Sequence, residues 1–431
     1  MSGRNATHTI RSGTDWQDSE IMVSLFPEGA KQAAFEWQPA EYVEDGSTTG
    51  ALWLDWVRVS DAGNGTVLIE DDFASCERAE MDRVFKPEFN WAPWDVEMAR
   101  ILETYHFNSF VLRTPGLGFG AGWAQHGSIP GSILGYGEDT PEYGVAFKAW
   151  YSEAEDHLRE KGWLKKAFIY WFDEPEPHQY DFVMEGNLRM KAAAPDLQRM
   201  LTEQVAPELV GGPNLWCPVS YEFDQEAAGV RRSEGDRFWW YICTGPKAPY
   251  ATLFIDHPGT ELRVWLWQTW ERRIEGILIW QTNYWTSNAA YPESLQNPYE
   301  DPMGWCHVMG DFVPPGARRP WGNGDGRFLY PPLKAAAGNP DSPVLDPPVG
   351  SIRMEMLRDG IEDYEYLVML DRLIEERRAS IPEVEWVAYR QLLDVPPSIS
   401  ESMTEFTWDP APIEARREAV ARAIVRLGAG A

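Results

Sequence analysis

The chain has 431 residues, and 67 Asp and Glu against 38 Lys and Arg leave a formal net charge of −29 at pH 7. That acidity repels phosphate backbones and anionic lipid surfaces, so nucleic acid is excluded as a partner. With 44% hydrophobic residues and 22 Trp, 17 Tyr and 18 Phe, intrinsic disorder is excluded, and no run approaches the roughly 18 apolar residues that insert in a membrane.

Met1 to Arg11 is polar and lacks the apolar core of a signal peptide. On that observation cytoplasmic and exported locations both stay open. Residues 1–75 read as a short β-rich region, a sandwich remnant, because runs such as Ile21–Phe26 and Ala51–Val59 are bounded by Gly, Ser, Thr and Asp. From about residue 90 helices and strands alternate. Asp95–Tyr105 reads as a helix, Asn108–Arg113 as a strand, and Gly116–Gly137 as a Gly-rich loop. A helix is expected over Pro141–Lys161 and a strand over Ala167–Asp173, whose continuous apolar run suits burial on both faces. Helix Tyr180–Ala194, strands Leu197–Glu203 and Leu215–Val219, and helix Glu222–Glu234 follow. Then come strand Phe238–Cys243, helix Gly259–Arg272 with Leu262, Trp265, Leu266 and Trp270 on one face, and strand Gly276–Tyr284. The Pro-rich segment Thr286–Arg327 reads as a stiff loop walling a pocket. A short strand, Arg327–Tyr330, precedes the longest helix, Ser351–Arg377. The alternation implies an α/β fold with a parallel sheet. The number of elements predicts a (β/α)8 TIM-like barrel over residues 76–431.

Barrels carry their active residues at the C-terminal ends of strands and in the loops beyond. There the strand Ala167–Asp173 runs into Asp173-Glu174-Pro175. Neighbouring carboxylates raise each other's pKa, and a carboxyl kept protonated can act as a general acid. The plain alternative is an acidic turn before proline. Along an extended strand neighbours face opposite sides, but at its end the backbone can turn and bring both to one pocket. An adjacent pair suits a division of labour in which one residue is acid/base and the other steadies a nucleophile carried by the substrate. A 2-acetamido sugar carries such a nucleophile. Trp171, Glu203, Trp240, Tyr241, Trp280, Asn283 and Trp285 lie at strand ends and are candidates to bind substrate, the aromatic ones by stacking on a sugar ring. His178, Asp325 within Gly324-Asp325-Gly326, and Arg353 at the start of the last helix complete the set, with His126 in the Gly-rich loop. The seven His and the four Cys (Cys76, Cys217, Cys243 and Cys306) show no ligand or redox spacing, so no metal or cofactor is expected.

Five segments resemble the catalytic domain of glycoside hydrolase family 123, the β-N-acetylgalactosaminidases. They are Lys161–Tyr170 with the following Asp173-Glu174-Pro175; Trp239–Cys243; Trp280 with Asn283 and Trp285; Gly324–Gly326 with Leu329–Pro331; and, most specific, Ser351–Leu367. The resemblance spans roughly residues 80–380. It implies a (β/α)8 barrel that removes terminal β-linked N-acetylgalactosamine from glycans or glycoconjugates. It also implies retaining, acetamido-assisted catalysis through an oxazolinium ion, with Glu174 as acid/base and Asp173 beside the acetamido group. A secreted or periplasmic bacterial location goes with it. The chain departs from the family in having only about 75 residues before the barrel, too few for the usual β-sandwich. Two other readings stand beside it. One is a retaining glycosidase with a separate nucleophile; Gln281 occupies the strand end where that nucleophile belongs, which leaves Glu203. The other is a glycan-binding barrel without catalysis.

Overall fold

The computed structural model describes residues 57–60, 63–71, 88–113, 115–117, 130–286, 296–308, 314, 316–336 and 343–429. The chain divides into two compact units, Met1–Lys86 and Pro87–Ala431. In the first, β1 (Val57–Ser60) pairs antiparallel with β2 (Val67–Asp71). The turn between them is fastened by Thr66 N donating to Asn64 Oδ1 at 2.8 Å, with Gly65 at φ 71°. The expected run Ile21–Phe26 lies outside the described residues.

The second unit is built on a parallel sheet. Its strands are β3 (Phe110–Val111), β6 (Ala167–Tyr170), β7 (Gln198–Leu201), β8 (Leu215–Trp216), β9 (Arg237–Tyr241) and β10 (Gly276–Leu278). They lie side by side in chain order. A small hairpin, β4 (Ser132–Ile133) and β5 (Tyr136–Gly137), precedes the first long helix. Helix α1 (Ala92–Ala99) precedes the sheet, and α2 (Pro141–Glu160), α3 (Tyr180–Ala193), α4 (Gln225–Ser233) and α5 (Thr260–Glu271) lie in connections between its strands. Their starts are written locally. Thr140 Oγ1 accepts from Tyr143 N with Pro141 at the first helical position, and Asp224 caps Glu226 and Ala227.

The sheet is curled into a half-barrel. β6 and β9 are separated by two strands, so a flat sheet would hold them about 14 Å apart. Yet the rings of Phe168 on β6 and Trp239 on β9 meet at 5.0 Å between centroids. Alternation along the strands sorts the side chains. Ala167, Ile169, Trp216, Phe238 and Trp240 enter the main core shared with helices α1 to α5. Phe168, Met200, Leu215, Cys217 and Tyr241, with Tyr170 and Trp239, gather in a separate cluster on the concave side.

Among the described residues the parallel sheet has six strands, not the eight expected. The late strand β13 (Leu329–Tyr330) pairs antiparallel with β14 (Val349–Gly350) instead of joining it. The cause is local: Phe328 N and Leu329 N both donate to Thr282 O, and Tyr284 N donates to Gly326 O. These bonds run the chain back along residues 282–284. The Pro-rich segment is also more regular than a loop, for β11 (Met303–His307) and β12 (Arg318–Asn323) form an antiparallel hairpin.

Beyond the sheet, the short helix α6 (Leu333–Ala336) leads to α7 (Ile352–Glu376), α8 (Glu383–Leu392) and α9 (Ala411–Gly428). These three long helices build a second core with one side of α5. Helix α5 is therefore buried on two faces. Leu262, Trp265 and Leu266 pack towards the sheet, whereas Val264, Trp267 and Trp270 pack towards α7 to α9. That corrects the expected single apolar face, since Trp270 belongs to the far side and donates to Leu393 O at 2.7 Å. The two layers are joined by a buried ion pair. Arg263 grips both oxygens of Asp363 at 3.0 Å, Trp267 Nε1 donates to Asp363 Oδ2, and Arg417 from α9 donates to Oδ1. Without Asp363, the buried Arg263 keeps only the exposed Glu414 as an ionic partner, and Arg417 loses its buried one. Asp363→Ala is expected to cost about 3–5 kcal/mol of unfolding free energy in urea titration; a loss below about 1 kcal/mol contradicts this reading of the interface.

Candidate active site

Past β6 the chain runs through Trp171 and the buried Phe172 to Asp173 and Glu174. Phe172 lies against Gly186 of α3, where an added Cβ would meet the ring at 2.5 Å. Glu174 then adopts φ 46°, in the left-handed region. A residue with a Cβ carries a cost of order 1–3 kcal/mol there unless its surroundings hold it. Here its amide donates to Thr202 Oγ1 at 2.8 Å. The Thr202 hydroxyl in turn donates to Asp173 Oδ1 at 2.9 Å.

Two concave-side tyrosines complete the arrangement. Tyr170 donates its hydroxyl to Asp173 Oδ1, and Tyr241 donates to Glu174 Oε1. Each carboxyl thus has a tyrosine of its own, from strands that only the curl brings together. Burial of these phenols beside a carboxylate pushes both far above the usual tyrosine range, so both remain donors. Asp173 Oδ1 receives two hydroxyl donors, and its Oδ2 has none among the described residues.

Burial raises Glu174 above the ordinary glutamate value, the bond from Tyr241 opposes the rise, and the charges of Asp173 and Glu222 add to it. Glu222 ends the short turn Ser220–Glu222 after β8. Glu203, just past β7, is pushed up to about 7, chiefly by burial and further by Glu222 and Glu174; the Gln204 amide and Tyr180 oppose it. A carboxyl raised in this way holds a proton closer to neutrality and can deliver it.

A second group lies at the end of β10. Trp280 donates Nε1 to Asp325 Oδ1 at 2.9 Å and lies parallel to Trp321 at 5.9 Å, with 38% of its own surface exposed. Gly326, at φ 72°, makes room for it, since a Cβ there would stand 2.9 Å from the indole. Asp325 itself is buried and is pushed up to about 6, chiefly by burial. Cys243, two residues beyond Tyr241, is pushed up chiefly by burial and further by the charges of Asp325 and Glu174.

The remaining candidates are placed as follows. Trp240 points to the convex side, wholly buried, where it donates to Thr269 Oγ1 and stacks on Trp265. Its neighbour Tyr241, of opposite parity, is the one that reaches Glu174. Arg353 is buried and donates to the carbonyls of Leu253, Gly324 and Arg327, so it braces the Gly324–Gly326 turn. Trp285 donates to Leu329 O, and exposed Asn283 accepts from Gln281. His178 is exposed in the turn Pro177–Gln179, and Trp171 is half-buried against the main core. His126 lies outside the described residues. Tyr170, Thr202, Glu222 and Trp321 adjoin the candidate residues and were missed by sequence reasoning. Strand parity was the available signal for the first two, because Tyr170 alternates with Phe168 and Thr202 with Met200. Among the described residues no cluster of His, Cys, Asp or Glu can hold a metal ion.

The fold and site together define a class: parallel α/β proteins that present paired carboxyls at the C-terminal ends of their strands. The model of the glycoside hydrolase 123 catalytic domain matches residues 131–370, more than half of the chain, and the protein belongs to that family. No curated protein matches. Among solved structures, the chain is similar to a family 123 glycoside hydrolase from Clostridium perfringens described for glycolipid glycan hydrolysis. Identity is 15% and the TM-score 0.41, over 79% of this chain and 56% of that one. The present chain thus spans a little over half the length of that relative.

The bond from Tyr241 favours the ionised form of Glu174. Tyr241→Phe is therefore expected to raise the Glu174 pKa further. Carboxyl 13C titration of the labelled protein reads this directly, and an unchanged or lowered value contradicts the assigned bond.

Proposed function

We propose that this protein is an exo-acting β-N-acetylgalactosaminidase that retains anomeric configuration with the help of the substrate's own acetamido group. The observation that carries the reading is the unequal pair: Asp173 with two hydroxyl donors on one oxygen and none on the other among the described residues, beside Glu174, half-buried and raised. Family membership supports the substrate class.

In this reading Glu174 gives its proton to the glycosidic oxygen as the C1–O bond breaks. The carbonyl oxygen of the 2-acetamido group attacks C1 from the opposite face and closes a five-membered oxazolinium ring. Asp173 accepts the amide N–H through Oδ2 and offsets the developing positive charge. The aglycone leaves with the proton. Glu174, now a carboxylate, takes a proton from water, which attacks C1, opens the ring and restores the β-configuration. Trp280, held edge-on by Asp325, offers a flat face to the apolar side of the sugar ring. The sequential parallel strands support a barrel-type scaffold around the site, with eight strands as its full form.

A two-carboxylate mechanism needs a separate nucleophile, and Glu203 is the residue at hand. Burial pushes this carboxyl up to about 7, so it holds its proton more readily than an ordinary glutamate and is a weaker nucleophile. This favours the assisted route.

A panel of p-nitrophenyl glycosides tests the reading. β-GalNAc is expected to be cleaved well ahead of β-galactose, and a GalNAc-thiazoline is expected to inhibit competitively. Glu174→Gln should lower kcat about 10²–10⁴-fold, and Asp173→Asn about 10²–10³-fold. Activity that is indifferent to the thiazoline, and lost in Glu203→Gln instead, would establish the two-carboxylate route.

A further inference from the structure

Thr202 stands just past β7, with only 4% of its surface exposed. A hydroxyl has one proton to give and two lone pairs to receive with. Both functions are used on the carboxyl pair: the Glu174 amide donates to Oγ1 at 2.8 Å, and Oγ1 donates to Asp173 Oδ1 at 2.9 Å. Tyr170 cannot take over either link. Its own hydroxyl is already given to Asp173, and it stands 3.5 Å from Thr202 Oγ1. The geometry has two consequences. The left-handed turn at Glu174 owes its amide partner to Thr202, so the direction in which Glu174 leaves the backbone depends on that hydroxyl. Asp173 is pinned through Oδ1 by two donors, Tyr170 from its own strand and Thr202 from beyond the next, which fixes the direction of Oδ2. Donation from an amide into a hydroxyl that donates onward polarises the chain and strengthens both bonds. A threonine also has few χ1 choices, so the hydroxyl is held where it is needed.

We propose that Thr202 is a positioning residue for catalysis: through one hydroxyl it sets the aim of both Asp173 and Glu174. It does not touch substrate. The proposal rests on the reading of Asp173 and Glu174 as the reacting carboxyls. It adds that their relative aim is set from the next strand and not by the Asp-Glu-Pro segment alone.

Thr202→Val keeps the volume and the branching and removes only the hydroxyl. Thr202→Ser keeps the hydroxyl and removes a methyl. Both are compared with the parent on whichever nitrophenyl glycoside the parent cleaves fastest, and on the matching 2,4-dinitrophenyl glycoside. A dinitrophenolate leaves without protonation, so it isolates the contribution of Asp173. Thr202→Val is expected to lower kcat about 10–100-fold, the cost of a misaimed group, with KM within about threefold of the parent. The deficit should persist on the dinitrophenyl substrate. Thr202→Ser should stay within about threefold of parent kcat, although it loses more apolar packing. Parent-like kcat in Thr202→Val overturns the proposal, as does Thr202→Ser impaired as badly as Thr202→Val, because the site would then answer to packing. Thiazoline inhibition of the parent reports separately on the assisted mechanism. A parent insensitive to it, with Thr202→Val still impaired, removes that mechanism and leaves the Thr202 proposal standing. A parent that cleaves no glycoside overturns both.

Discussion

The site depends on a backbone conformation that an L-residue rarely adopts. Ordinary strand geometry would send the side chains of residues 173 and 174 to opposite faces of the sheet. The left-handed turn at Glu174 cancels that alternation, and it stands because the amide it exposes finds the hydroxyl of Thr202. Strain of this kind persists only where its surroundings over-determine it. Here the surroundings are three hydroxyl groups. Tyr170, Thr202 and Tyr241 come from or just beyond three strands, and none of them follows Asp173 in the sequence segment that carries the carboxyls.

The curl of the sheet is the second requirement. Tyr241 reaches Glu174 from a strand three places away, which a flat sheet does not allow. Phe168 and Trp239 touch within the same concave-side cluster as Tyr170 and Tyr241. Burial is the chief cause that raises both Glu174 and Glu203. On the convex side, helix α5 is enclosed between the sheet and the C-terminal helices, and its buried polar side chains Glu261, Arg263 and Gln268 are matched by Thr252, Asp363 and Ser400. That rigidity backs β9 and β10, the strands that carry Tyr241 and lead to Trp280.

Much of this was legible in the sequence. The alternation of apolar strands with amphipathic helices gave the parallel sheet in order, and the rule that barrels act at strand ends led to Asp173 and Glu174. Trp240 went astray for a definable reason. Adjacent aromatic residues in Phe-Trp-Trp-Tyr offer no alternation, so the sequence alone does not say which of them faces inward. Arg353 went astray because its place at a helix start near the mouth says nothing of the three carbonyls that draw its guanidinium inward. Thr202 was invisible because a threonine at a strand end is ordinary β-chemistry; its bonds to the Glu174 amide and to Asp173 arise only in the folded sheet. The antiparallel return of residues 326–329 along 282–284, and the second core beneath α7 to α9, depend on tertiary pairing that no local pattern encodes.

The most direct test of the central claim, that Asp173 and Glu174 are aimed separately at the two reacting ends of a 2-acetamido sugar, is a crystal structure of the protein with GalNAc-thiazoline bound. The account predicts Asp173 Oδ2 within about 2.7–3.2 Å of the thiazoline nitrogen. It places Glu174 over the anomeric carbon on the leaving-group side, with Thr202 still joining the Glu174 amide to Asp173 Oδ1. A thiazoline bound with Glu203 beneath the anomeric carbon, and Asp173 turned away from the nitrogen, would contradict it.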